Sequence, residues 1–323
     1  MTPVIYLDNQ KRKYKGNLHT HSTRSDGQYP PEMVMNAYKN NGYDFMCLSD
    51  HEIYFKSDAY DDERFIMIDG YEMACEMSRQ ETGQQYHIHG LLDRTLHSAQ
   101  EFGHDEEHAK PDYEDLDTIQ SLIDDMRDKG NLIIMNHPEW SRNTPEDLLR
   151  LEGYFAIEIY NHQSELDEAV GYGVHHWDYL LKHGRKVYGI ASDDAHGGDI
   201  DSAISEFFGG WVCAEAEKLE QQSVIDALKA GQYYSSNGPE IYDLRVQDGF
   251  LQIECSPVKF IRFLTHPGNG RNIYSKEALP VSQGSYRIEG NEQYIRVECV
   301  DFEGKVAWSN PIFPADLPHG ALE

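Results

Sequence analysis

His19-Thr20-His21, Asp50-His51, His87-Ile88-His89, Asn136-His137 and Asp193-Asp194-Ala195-His196 group imidazoles with polar or acidic neighbours, and Glu72 follows Asp69-Gly70 at a short distance. Neutral imidazole and carboxylate are the ordinary ligands of zinc, manganese and iron, and a shared carboxylate can bridge two ions. These groups supply more donors than one tetrahedral ion needs. Two or three divalent ions would position a substrate and lower the pKa of a bound water, giving hydroxide at neutral pH. Cations would also offset the repulsion among carboxylates placed close together. Any fragment alone has a plain structural reading: His-x-His on a strand is a same-face surface pair, and Asn-His-Pro is a strand-ending turn. The weight lies in where the groups fall.

Most of them close a strand-like run. Residues 43–48, 65–68, 86–92, 131–135, 154–160 and 186–191 have the composition of strands. Helix-period stripes lie between: Met33, Val34, Ala37 and Tyr38 after Pro30-Pro31, then Ile119, Leu122, Ile123 and Met126 before Gly130. Trp177, Leu180 and Leu181 before Gly184, and Val224, Ile225 and Leu228 before Gly231, are two more. This alternation predicts an α/β fold, a parallel sheet or barrel covered by helices, whose strand carboxyl ends open on one cleft. Residues 93–115, rich in acid and histidine, read as a long loop in which His104 and His108 are solvated. After about Gly231 the helical period stops, and residues 240–313 alternate short β segments with turns, the pattern of a small all-β domain. The expected division is 1–232 and 233–323.

The chain has 323 residues, with 28 Lys+Arg against 56 Asp+Glu and a net charge of −28. That charge opposes polymeric nucleic acid and anionic membranes as partners but leaves room for a small anionic ligand. The five widely spaced cysteines read as free thiols, and the first residues lack the layout of a signal peptide, so a cytoplasmic location is expected. Phe55 breaks a zincin pattern after His51-Glu52, and neither a Gly-x-Ser-x-Gly elbow, a phosphate-binding Gly-x4-Gly-Lys loop nor a Cys-x-x-Cys is present.

Leu18-His19-Thr20-His21-Ser22 with Ser25-Asp26-Gly27, then Ser49-Asp50-His51, Gly70-Tyr71-Glu72, His87-Ile88-His89-Gly90, His137-Pro138 and Ser192-Asp193-Asp194-Ala195-His196 resemble, in motif order over about residues 14–232, the PHP (polymerase and histidinol phosphatase) domain. Ile157-Glu158-Ile159-Tyr160-Asn161, the stretch 177–196 and Ala307-Trp308-Ser309-Asn310-Pro311-Ile312 look most like its carbaryl-hydrolase-like branch. The resemblance implies a distorted (β/α)7 barrel followed by a small all-β, sandwich-like domain, two or three metals at the strand ends, and phosphoester hydrolysis. By position, His19, His21, Glu72 and Asp194 resemble the ligands of a first metal. Glu72 would bridge to a second, held also by His87 and His137, and Asp26, His51 and His196 would hold a third. Asp193 stands beside Asp194, and His89 shares a face with His87, so each pair offers an alternative. Glu72, Asp194 and His196 are then the expected catalytic group.

Arg24, Arg142 and His162 are candidate contacts for an anionic substrate, since guanidinium suits phosphate; Lys15 and Arg79 are weaker versions of the same idea. Glu158 reads as a buried carboxylate steering the ligands. The reaction expected is hydrolysis of a small phosphorylated metabolite by a metal-bridging hydroxide. The alternatives are a carbamate, ester or amide hydrolase using the same water, and a non-catalytic metal-binding barrel with a ligand-binding β domain. Zinc, manganese and iron suit the ligands alike.

Overall fold

The computed structural model describes residues 3–55, 60–76, 83–96, 113–268 and 270–322. Most of the acidic stretch, with His104 and His108, lies outside the described residues, as does Arg79. The chain begins with β1 (Val4–Leu7) and β2 (Tyr14–Asn17), followed by α1 (Pro31–Asn40). Pro30 enters α1 extended, Val34, Met35 and Tyr38 are its buried face, and Gly42 leaves it at φ 79°. Next come β3 (Phe45–Cys47), β4 (Ile66–Ile68), β5 (Gly70–Glu76) and β6 (Gln85–Leu92). The Asp115 side chain caps α2 (Leu116–Asp128) by accepting from the Thr118 N–H at 3.1 Å, and Ile119, Leu122, Ile123 and Met126 are buried.

Beyond it lie β7 (Asn131–Met135), α3 (Pro145–Arg150), β8 (Tyr154–Asn161), α4 (His162–Glu168), α5 (Val174–Lys182) and β9 (Tyr188–Ser192). Then β10 (Trp211–Ala214), α6 (Gln221–Lys229) and β11 (Tyr233–Ser236) complete the helix-bearing part. The rest is strand: β12 (Ile241–Gln247), β13 (Phe250–Val258), β14 (Phe260–His266), β15 (Arg271–Ile273), β16 (Val281–Arg287), β17 (Tyr294–Val300) and β18 (Val306–Ser309).

Strands and helices are mixed, as expected, but the strands do not form a closed (β/α)7 barrel. One sheet has the order β5-β6-β7-β8-β9 and another runs β15-β14-β17-β18-β11-β10-β2-β3-β4. Between them the described residues make only isolated bridges, His51 to Glu72, Phe55 to Gly70 and Thr20 to Ala195. Among the described residues, parallel ladders are confined to β2-β3-β4 and β7-β8-β9, whereas β6 is antiparallel to both neighbours. The physical reason is visible at β5–β6. Only residues 77–84 separate these strands, and a parallel pair needs a crossover of about a dozen residues or more.

The β-rich end is tied to the rest. Strand β11 pairs with β10 on one side and β18 on the other, so a single ladder continues from the helix-bearing strands into the all-β region. The first strand, β1, pairs with β12 in a separate sheet ordered β1-β12-β13-β16. Leu244, Leu251, Ile253, Ile261, Phe263, Ile295 and Val297 fill the space between those sheets, in the manner of a sandwich. All five cysteines are free and buried. No described helix is long and apolar enough to cross a membrane.

Candidate metal centre

Strand β2 runs directly into His19 and His21. Between them, Thr20 bridges to Ala195 and turns its hydroxyl toward Tyr38 Oη at 2.9 Å, so the two imidazoles face the opposite way, into the space between the sheets. Glu72, on β5, is opposite His89 across the ladder and joined to His51 by the bridge. Its carboxylate is the hub. Oε2 lies 3.2 Å from His19 Nε2, 3.4 Å from His21 Nε2 and 3.2 Å from His51 Nδ1. Oε1 lies 3.3 Å from His87 Nδ1 and 3.4 Å from His137 Nε2. Asp194 Oδ1 is 3.0 Å from His19 Nε2 and 3.1 Å from His21 Nε2, and its Oδ2 is 3.6 Å from His137 Nε2. At the outer edge, Asp26 lies 3.5 Å from both His51 Nε2 and His196 Nε2. The structure therefore brings every residue expected to hold metal into one connected cluster. Only Asp26, with 56% of its side chain exposed, stands well into solvent.

The donors converge without satisfying one another. Glu72 Oε2, Asp194 Oδ1, His51 Nδ1 and His87 Nδ1 are buried with no hydrogen-bond partner. His19 Nε2 and His21 Nε2 lie 3.2 Å apart. Buried carboxylate oxygens left this way are costly unless a cation meets them. Overlapping sets, among them His19-His21-Glu72-Asp194, His51-Glu72-His87 and His21-Asp26-His51-His196, place donor atoms within 4.8 Å of one another. These residues fit divalent ions.

Electrostatics divide the imidazoles. Burial disfavours a proton on His19, but Asp194, Glu72 and Glu158 outweigh it and raise its pKa well above the ordinary value. His21 rises to about 9 against the same burial, through the close approach of the Asp194 and Glu72 carboxylates. Burial and neighbouring charge lower His51 and His89 to about 3. Burial opposes ionisation of Glu72 and Asp194, yet the surrounding histidines, His19 first, hold both well below the carboxylate range.

A layer behind the donors fixes their orientation. Glu158 Oε1 accepts from His19 Nδ1 at 2.8 Å and from the Ser192 hydroxyl, which leaves His19 Nε2 facing Glu72. Glu158 Oε2 accepts the His137 N–H at 2.7 Å and Asn161 Nδ2 at 3.0 Å. Asn136 Nδ2 donates to Glu72 Oε1 at 2.6 Å, and Asn161 Nδ2 also reaches Asp194 Oδ2 at 3.1 Å. Asp50 holds the turn after His21 through the Ser22 N–H at 2.7 Å and the Ser25 hydroxyl at 2.9 Å. His137 and Asp194 have φ values of 23° and 56°, in the left-handed region that side chains avoid. Such backbone costs about 1–3 kcal/mol per residue and is retained where the surroundings enforce it.

The two sequence alternatives separate. Asp193 turns away from the cluster and accepts the N–H groups of Phe208 and Gly209 at 2.8 Å and Gly210 at 2.7 Å, anchoring the loop before β10. Asp194 alone of the pair faces the imidazoles. His87 contacts Glu72, whereas His89 Nε2 meets Cys47 Sγ at 3.6 Å.

The expected substrate contacts have partners of their own. The Arg142 guanidinium donates to the Gly83 carbonyl at 2.8 Å, and His162 has its ring nitrogens against Tyr160 Oη and the Ser205 carbonyl, both at 3.0 Å. Arg24 lies over the Phe55 ring at 5.2 Å. His176 is packed, with Nε2 against the Asn143 carbonyl at 2.9 Å.

The sequence motifs include Asn136 and Asn161 without giving them a role, and leave out Trp140. The first two abut strand ends that carry named residues, a signal readable afterwards. The Trp140 ring walls the cluster 5.0 Å from the His137 ring and 5.5 Å from His87, with its N–H on Glu168 Oε1 at 3.1 Å.

No family model matches the chain, and no curated protein matches it. Among solved structures, an amidohydrolase from Chromobacterium violaceum is similar at 15% identity and TM-score 0.41, covering 59% of this chain and 93% of its own. A Bacteroides vulgatus two-domain protein, described as containing a predicted PHP-like metal-dependent phosphoesterase, is similar over 95% of this chain and 96% of its own, at 14% identity and TM-score 0.51. The likeness to that two-domain protein runs through the β-rich end as well, and it shows that this chain shares its fold.

Proposed function

We propose that the protein is a metal-dependent hydrolase of small phosphoesters. The observation that carries this reading is the convergence of Glu72 and Asp194 oxygens with His nitrogens that are buried together and left without partners. In it, His19, His21, Glu72 and Asp194 hold one ion, Glu72 is shared with His87 and His137 around a second, and Asp26, His51 and His196 hold a third. Bound ions would polarise the scissile group and lower the pKa of a water beside it. The chain's own residues do the rest. Glu158 keeps His19 turned inward, and Trp140 shields the His87–His137 side from water. His196 directs Nδ1 to the Asp194 carbonyl at 2.8 Å, so Nε2 is the atom left facing Asp26 and the third ion they would share.

One observation favours a second reading, attack on a neutral carbonyl in a carbamate, ester or amide. Arg142 Nη1 and both ring nitrogens of His162 are engaged by the Gly83 carbonyl, Tyr160 and the Ser205 carbonyl, and a neutral substrate needs no such cations. The test is turnover of p-nitrophenyl phosphate, bis(p-nitrophenyl) phosphate and an aryl carbamate by protein loaded with manganese, zinc or iron. Metal-dependent release of nitrophenol or aryl alcohol that His137→Ala abolishes is expected. Absence of turnover on all of them would sink the enzymatic reading.

A further inference from the structure

On the far side of β2, away from the imidazole cluster, Lys11, Lys13 and Lys15 occur at every second position and line a cleft of ≈ 830 Å³ with Trp211, Tyr242 and Glu240. That volume suits a small molecule. The cleft's charged side chains have partners, with one exception. Lys11 pairs with Glu215 at 3.1 Å, and Lys13 Nζ donates to the carbonyls of Asp8 and Tyr242, both at 2.8 Å. Asp44 receives Arg12 at 2.6 Å and the Lys15 backbone N–H at 2.8 Å. Glu254 accepts from Asn9 at 3.2 Å and Gln283 at 3.0 Å, and Glu240 from the Tyr242 hydroxyl at 2.9 Å.

The Lys15 ammonium instead lies between two rings, 4.1 Å from the Tyr43 centroid and 3.9 Å from that of Trp211, and meets no carboxylate among the described residues. Ring faces stabilise the charge but give its three N–H groups no acceptor along their axes. Burial pulls its pKa below the ordinary lysine value, outweighing the more distant Asp193, Glu240 and Asp44, which act the other way. In a chain of net charge −28, a half-buried cation that faces a cleft with no described carboxylate in contact is the exception to be explained.

We propose that this cleft is a second binding site, for a small organic anion whose carboxylate or phosphate pairs with Lys15 and whose planar body lies against Trp211 and Tyr242. Aromatic walls with a single charged anchor are the ordinary make-up of such sites. The occupant would sit behind both strands that lead to the cluster. Lys15 shares β2 with the segment entering His19, and Trp211 follows Gly209 and Gly210, whose N–H groups hold Asp193 beside Asp194.

The test is a fluorine NMR titration of metal-loaded protein with 4-fluorobenzoate, alongside 4-fluorobenzyl alcohol as a neutral analogue and phenylphosphonate, which has no ester to hydrolyse, as competitor. Saturable binding of 4-fluorobenzoate, displaced by phenylphosphonate, is expected, and Lys15→Met should weaken it about tenfold or more by removing the charged anchor. Tyr242, 42% exposed at the rim, can be truncated without threatening the fold, so Tyr242→Ala should also weaken binding even where Lys15→Met fails to fold. Binding should persist in His137→Ala. Equal affinity for the neutral alcohol, undiminished binding by both cleft variants, loss of binding in His137→Ala alone, or no saturation in the wild type would each overturn the proposal.

Discussion

Glu158 touches His19, His137, Ser192 and Asn161 at once: one oxygen sets the direction of the His19 imidazole and the other holds the His137 backbone N–H, each just beyond the end of a different strand. Glu158→Gln keeps the shape but turns one acceptor into a donor. Metal affinity, read by chelator competition, should fall about 10–100-fold, as for other carboxylates behind metal-bound histidine. A pH effect follows from the raised imidazoles. For His21 the folded pKa of about 9 exceeds the ordinary 6.5, so its stabilising contribution is complete below 6.5 and is lost as pH rises toward 9. His19 and His137, also raised, act in the same direction. His51, lowered to about 3, acts on the acid side, where the unfolded chain takes up a proton that the folded chain refuses. Chelator-treated protein should therefore melt at progressively lower temperature from pH 6.5 to 9, and metal-loaded protein should not, because bound cations replace those protons. A flat melting profile without metal would remove the protonated imidazoles from the account.

Among elements, the firmest link between helix and β region is ionic. Arg296 on β17 is 1% exposed, reaches both Asp178 oxygens on α5 at 2.8 and 2.9 Å, and adds Glu298 at 2.7 Å. Its guanidinium also stacks on Trp177 at 5.1 Å. Removing one partner of such a group strands the others, so Arg296→Ala should cost about 3–5 kcal/mol in a urea unfolding experiment. The sequence made the helices legible, because α1, α2, α5 and α6 each carry an apolar stripe bounded by Pro, Asp or Gly. It hid β5, β10 and β11. Strand β5 directly follows β4 with Asp69 between them, and its run Gly70–Glu76 mixes Glu72 with apolar residues because that glutamate faces donors instead of solvent. The short helices α3 and α4 were equally hidden, each spanning fewer residues than the helical period needs to show itself.

At the level of the whole molecule, the ladder through β10, β11 and β18 crosses the expected division at 232/233, and β1 lies across from β12. Cutting the chain after residue 232 would leave β1 and β10 with unpaired edges and uncover apolar surface. The truncated chain should be insoluble or unfolded, while the full chain should lose circular dichroism and tryptophan fluorescence in coincident transitions. A soluble, folded 1–232 fragment would show that the two parts are more independent than the shared ladder implies. The acidic surface belongs to this scale too: a charge of −28 shapes which partners approach, and has little to say about which bond is broken.

The sequence by itself determined which motifs come together in the cluster, because a site assembled at strand ends leaves its residues beside apolar runs, where type and position are both readable. It also determined the alternation of strand and helix, since burial imposes a period on each. Tertiary structure alone decided that Asp194 and not Asp193 faces the imidazoles, and that His87 and not His89 meets Glu72. Adjacent or same-face residues have equal claims until the backbone dihedrals and neighbouring N–H groups choose between them. It alone decided that Arg142 and His162 have partners of their own, and that the sheets stay open. Those outcomes depend on contacts between segments far apart in the chain, which no local pattern encodes.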